Sequence, residues 1–221
     1  QDKYPALGNQ NLALSERLSF DDQLSDKPDN VLSRRFLVSW SSSPDRGLEE
    51  LLLMWPLIRR ELPDATLKIY YGWEYFDRYI SHNHHLADMK VRITKLLKQL
   101  GIEWCGRVGQ DALAQAFMAS DIWLYPPHSF RETCCITALE AQAAGVLCFY
   151  RKNGAVGEVA GQFGFPISLD ATPEQVVDIL RMVLASDTSD TRAKASQWAR
   201  EQTWKRATSS LLTGIELILK E

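Results

Sequence analysis

From residue 34 onward, short apolar runs alternate with stretches of helical periodicity, and this alternation constrains the fold of the chain more than any other feature. Residues 36–40 form a strand-length run, 48–62 carry an apolar stripe at helical spacing, and 66–71 are strand-like again, which makes one βαβ unit. The pattern continues with a helix over 86–100, a strand over 102–105, a helix over 111–119 and a strand over 121–125. A helix over 133–144, a strand over 146–150, a short helix over 155–160 and a strand over 165–168 follow. Alternation of this kind predicts an α/β fold: a Rossmann-like parallel sheet of about six strands with helices on both faces.

The tail is predicted to be helical. Thr172 and Pro173 read as N-cap and first helical residue, with an apolar stripe at Val176, Val177, Leu180, Val183 and Leu184. After a polar break at 186–190, two more amphipathic helices run to the end. Residues 1–30, rich in Asn, Asp, Ser and Gln with two prolines, read as a linker or N-terminal arm, which leaves 31–221 as the folded domain. No fixed-period repeat accompanies the βα alternation, so a solenoid is excluded.

With 221 residues, 45% of them hydrophobic, the chain can bury one sizeable core. Its net charge of −3 comes from interspersed acids and bases, and the absence of a basic stripe argues against nucleic acid as a partner. The longest apolar stretch, 51–58, is broken by Pro56 and falls far short of the roughly 20 residues that a membrane-spanning helix needs. Cys105, Cys134, Cys135 and Cys148 sit within or beside apolar runs and read as reduced thiols of a cytoplasmic protein. No charged-then-apolar leader opens the chain, which begins with Gln.

Open α/β sheets bind ligands outside the carboxyl ends of their strands, so the loops there are where chemistry is expected. The loop after the first strand contains Ser41, Ser42, Ser43, Asp45, Arg46 and Gly47 and leads straight into a helix. Hydroxyls, a forked cation and a helix N-terminus suit phosphate oxygens. The plainer alternative is that Ser43 or Asp45 caps the helix while Arg46 is solvated. The segment 125–140 has a second unusual feature, Glu132 and Glu140 with seven residues between them, and Thr133, Cys134 and Cys135 at the predicted helix mouth. On one helix the two acids would stand about 12 Å apart, close to the span of a ribose and diphosphate. The alternative is a first-turn acid that complements the helix dipole and a solvated helix residue.

The stretch "ETCCITALEAQAAG" (132–145) resembles the E-x7-E motif of retaining GT-B glycosyltransferases of the group 1, family-4-like kind. "FLVSWSSSPDRGLEELLLMWPLIRRELPDATLKIYYG" is similar to that family's first βαβ unit. "WCGRVGQDALAQAFMASDIWLYP" resembles its Gly-Arg-Val turn, helix and pre-motif strand, and "GAVGEVAG" and "TWKRATSSLL" its later loop and closing helix. The ordered set covers about residues 34–217.

The resemblance implies the C-terminal, donor-binding half of a GT-B fold. It places Glu140 on the ribose hydroxyls, Glu132 at the transferred sugar and Arg46 where the family has its phosphate-binding lysine. Ser42, Ser43, Thr133 and the backbone amides of Cys134, Cys135 and Ile136 would hold the diphosphate, and Arg107 and Val108 would border the base. The implied donor is a UDP- or GDP-sugar, with no metal or other cofactor required and a glycan or lipid-linked acceptor. The N-terminal Rossmann half would be a missing partner, through which the enzyme could associate peripherally with a membrane. The family usually carries a second cation five residues before the lysine position; here that residue is Ser41, and Arg107 or Arg131 would have to compensate.

Three other features are weighed against this reading. His82, His84 and His85 near a helix start could share a metal but fit a solvated loop better. Cys134 and Cys135 at a helix N-terminus could include a nucleophile, yet no CxxC motif or paired His supports one. Trp73, Tyr75, Phe76 and Tyr79 read as core packing, with the alternative that some line an interdomain cleft, and Trp198 and Trp204 read as helix-packing anchors. A dinucleotide-binding oxidoreductase lacks its G-x-G-x-x-G turn here. A nucleotide-sugar epimerase and a non-catalytic nucleotide-sugar-binding module are the alternatives on the same fold.

Overall fold

The computed structural model describes residues 36–80, 83–126 and 129–219. The proposed arm over residues 1–30, His82 and the Tyr79 side chain lie outside the described part. Six parallel strands, β1 (Leu37–Trp40), β2 (Thr66–Ile69), β3 (Ile102–Trp104), β4 (Ile122–Tyr125), β5 (Leu147–Arg151) and β6 (Phe165–Ile167), stand in the order β3-β2-β1-β4-β5-β6. The helices are α1 (Leu48–Glu61), α2 (Trp73–Ile80), α3 (His84–Leu96), α4 (Gln110–Met118), α5 (Ile136–Ala143), α6 (Val156–Ala160), α7 (Pro173–Leu184), α8 (Ser189–Glu201) and α9 (Trp204–Ile218). α1 packs with α3 and α7, and α5 packs with α4, α6 and α8, so each face of the sheet has its own helical layer.

Burial on both faces explains why the central strands are mostly apolar. All four residues of β4 are buried, and Trp40, Trp55, Phe117, Trp123, Tyr125 and Phe149 are the largest side chains in the core. α1 turns Leu48, Leu51, Leu52, Trp55 and Ile58 inward at helical spacing. Pro56 inside that helix cannot donate to the Leu52 carbonyl one turn earlier. The Gln99 side-chain amide does so instead, at 2.9 Å. The Trp55 indole likewise donates to the Leu100 carbonyl at 3.0 Å, so one loop closes over α1 at two points.

α7 begins as the sequence predicts. Thr172 accepts from the Gln175 amide and the Gln175 side chain returns the bond, a complete capping box with Pro173 in the first turn. α8 crosses the C-terminal end of α5, where Arg192 donates to the Gly145 carbonyl at 2.7 Å and Ser196 to the Ala143 carbonyl at 2.8 Å. These donors satisfy carbonyls that the end of α5 leaves without intrahelical partners.

Three elements differ from the sequence expectation. α2 occupies the aromatic stretch after β2, where the sequence reading assigns no helix. α3 begins at His84, ahead of the expected start, because the Asn83 side chain accepts from the Leu86 amide and caps it. α5 begins at Ile136 instead of residue 133, because the preceding chain is occupied elsewhere: Glu132 bridges to Gly154 in the loop after β5. Glu132 therefore lies outside the helix, and the helical rise used to place it relative to Glu140 does not apply.

Candidate functional site

The strand order reverses between β1 and β4, which are direct neighbours, and the two loops singled out in the sequence leave the sheet side by side at that point. In the first loop Pro44 opens a tight turn through Arg46, and Gly47, at φ +103°, donates back to the Pro44 carbonyl before α1 starts. That left-handed conformation favours glycine. Neither Ser43 nor Asp45 caps α1; the residue at the cap is Gly47, and Ser43 makes no side-chain cap bond. Arg46 is not simply solvated either. Its guanidinium carbon lies 3.1 Å from the centre of the Phe130 ring, from the neighbouring loop.

The same loop holds several polar atoms in reserve. The Ser41 hydroxyl, one Asp45 oxygen and one terminal Arg46 nitrogen are buried with no hydrogen-bond partner among the described residues. Buried polar groups without partners are costly and uncommon, so such a cluster marks a place where a ligand could complete the bonding. Ser42 reaches across to the Thr137 hydroxyl at 3.5 Å, which brings the β1 loop against the first turn of α5.

Glu132 is held between the end of β4 and the loop after β5. Its carboxylate accepts from the hydroxyl of Tyr125, the last residue of β4. Its carbonyl accepts from the Ala155 amide at 2.8 Å, and Asn153 donates to the Phe130 carbonyl at 2.9 Å. Gly154, at φ +70°, permits this contact, since a Cβ there would stand 2.1 Å from the Glu132 carbonyl oxygen.

Glu140 projects from α5 on the helix face it shares with Ile136 and Thr137, four and three residues earlier. Burial raises the pKa of its carboxyl, and no hydrogen bond from a described residue offsets that burial. Cys135 is buried, its thiol pushed up to about 11 by desolvation, which is opposite to the activation a nucleophile needs. Thr133, Cys134 and Ile136 are exposed beside it.

The structure thus gathers Ser42, Arg46, Glu132 and the start of α5 at one point of the rim. Arg107 stands apart from them. Its guanidinium lies over the Tyr75 ring, 4.5 Å from the centroid, in a cluster where Trp73 stacks on Trp104 at 4.8 Å. Phe76 is buried as expected, whereas Tyr75 is exposed. Trp198 packs against Gly161, whereas Trp204 is 64% exposed. His84 and His85 are exposed on α3. Sequence reasoning missed Tyr125, Phe130, Thr137 and Asn153. Tyr125 alone left a trace, a polar tip at the end of a wholly apolar strand next to the motif.

A family model described as "Glycosyl transferases group 1" matches residues 23–202. No curated protein matches the chain significantly. Among solved structures, a sucrose-phosphate synthase from Thermosynechococcus elongatus superposes with a TM-score of 0.65 at 15% identity, covering 92% of this chain and 49% of that one. A UDP-forming α,α-trehalose-phosphate synthase from Burkholderia xenovorans gives 0.63 at 16% identity, covering 87% and 48%. WaaG, a glycosyltransferase involved in lipopolysaccharide biosynthesis, gives 0.54 at 16% identity, covering 90% and 49%. The chain therefore shares the fold of GT-B glycosyltransferases and spans about half the length of these neighbours.

Proposed function

Since this chain belongs to the group 1 glycosyl transferases, we propose that it supplies the donor site for moving a hexose from a nucleotide-diphosphate sugar to a glycan or lipid-linked acceptor, with retention of anomeric configuration. The observation that carries this reading is the Glu140 carboxylate, half-buried and without an offsetting hydrogen bond, one turn from the point where Thr137 meets the Arg46 loop. A carboxylate placed that way is completed by the paired hydroxyls of a ribose, which replace the water it has lost.

In this reading Arg46, Ser42, Ser43 and the chain from Thr133 to Ile136 face the diphosphate, Glu132 faces the sugar, and Arg107 with Val108 borders the base. As the bond from sugar to phosphate breaks, negative charge grows on the departing diphosphate, and a fixed guanidinium with helix-mouth amides stabilises it. No metal or other cofactor is assigned a part. The acceptor would be bound by a second Rossmann half outside this chain, in keeping with the half-length coverage of the structural neighbours. We place the reaction in the cytoplasm, in the synthesis of a surface polysaccharide; lipopolysaccharide biosynthesis is the setting named for WaaG. No helix among the described residues is long and apolar enough to cross a membrane; we assign any peripheral membrane association to the other half.

Titration calorimetry with UDP, GDP and their sugars tests the reading. Glu140→Ala should weaken donor binding by about 1–3 kcal/mol, and Arg46→Ala should weaken diphosphates more than nucleosides. If neither change alters affinity, the site assignment fails. A non-catalytic binding module predicts the same affinities but no glycosidic product when the acceptor-binding half is restored. An epimerase predicts free epimerised sugar.

A further inference from the structure

We propose that Tyr125 is a positioning residue of the donor site, whose hydroxyl holds one oxygen of the Glu132 carboxylate so that the other is presented to the transferred sugar. The inference rests on the donor-site reading above. Tyr125 is 0% exposed. Its ring stacks on Trp123 at 5.1 Å and on Trp40 at 5.7 Å, so residues of two adjacent strands fix its orientation. The hydroxyl leaves this stack and donates to Oε1 of Glu132.

Glu132 needs such a support. Its backbone is anchored through Ala155 and Gly154, but the bonds of its side chain can still rotate within the loop. A flexible carboxylate would lose rotamer freedom each time it met a substrate; one already held by a rigid phenol loses less. Each carboxylate oxygen offers further acceptor sites, so the bond to Tyr125 leaves Oε2 available for a sugar hydroxyl. Burial raises the pKa of the phenol well beyond its ordinary range, which keeps it protonated as a donor.

A bare nucleotide has no group opposite Glu132, and this separates positioning from packing. Tyr125→Phe keeps the ring and its stacking and removes only the hydroxyl. Calorimetry on the chain with UDP, GDP, UDP-glucose and GDP-mannose should show the preferred sugar donor bound roughly ten-fold more weakly, while UDP and GDP bind as before. In a Glu132→Ala background the same substitution should change sugar-donor affinity by less than about two-fold, because the two residues act as a unit. Equal losses for donor and bare nucleotide, full loss in both backgrounds, or no loss at all would each overturn the inference. If Glu132→Ala itself binds the sugar donor as tightly as the wild type, the fault lies in the donor-site reading. A normal loss in Glu132→Ala with none in Tyr125→Phe faults Tyr125 alone.

Discussion

At the residue scale, Glu140 shows how a binding role and stability can oppose each other. Its carboxyl pKa is raised above the ordinary 4.5 by burial, so the folded protein holds that proton to higher pH than the unfolded chain. The neutral form is the one folding tolerates. The resulting stability is complete below the ordinary value and is lost as pH rises through the raised one. Glu140→Gln should therefore unfold at a higher temperature than the wild type at neutral pH and lose that advantage near about pH 4. Thermal melts at both pH values check it, and a pH-independent difference would show that burial of the charge is not the cause. Gly154 makes a different demand. Its positive φ and the 2.1 Å that would separate an added Cβ from the Glu132 carbonyl oxygen leave no room for a methyl group. Gly154→Ala should cost about 2 kcal/mol or more in denaturant unfolding and release the loop that carries Glu132. An unchanged midpoint would mean the loop tolerates separation from β5.

At the element scale, a helix start set by neighbouring residues was legible, and one set by a distant contact was not. The Thr172 capping box could be read from residue types because all its partners lie within four residues. Thr172→Ala should cost about 1 kcal/mol, visible as a lower urea midpoint with an unchanged slope. A shift below a few tenths of that would make the cap dispensable. The start of α5 could not be read in the same way, since it depends on Glu132 pairing with Gly154, a partner 22 positions away in sequence. α2 escaped for a related reason. Its aromatic residues fit a helix or a packing cluster equally well, and only the stacking of Trp73 on Trp104 from β3 decides their arrangement. The repair of Pro56 by Gln99 is likewise invisible locally, because donor and acceptor belong to different elements.

At the scale of the whole molecule, α9 is a helix whose apolar side chains the other described residues leave exposed. Trp204, Leu211, Leu212, Ile215 and Ile218 are all exposed along it, at 64%, 64%, 55%, 44% and 72%. A soluble domain rarely leaves so much apolar surface contiguous, and the structural neighbours are about twice as long as this chain. If the acceptor-binding half proposed above docks against this face, it would cover these side chains. Restoring that half should slow hydrogen exchange of the α9 amides relative to the chain alone, while α7, already packed on α1, should change little. Unchanged exchange in α9 would remove it from the domain interface.

Sequence alone determined the layered α/β architecture, the order of its strands along the chain and the two loops with chemical promise. Periodicity, caps and glycines act over a few residues and leave their mark on composition. The E-x7-E resemblance added Glu132 and Glu140 as a pair. Tertiary structure decided which loops meet: β1 beside β4 sets Arg46 on Phe130, and the end of β5 sets Gly154 under Glu132. It also decided that Tyr125, an apolar strand residue by pattern, turns its hydroxyl to the candidate sugar-facing acid. Those contacts join residues far apart in the chain, and which strands become neighbours is settled only when the whole sheet packs against its two helical layers.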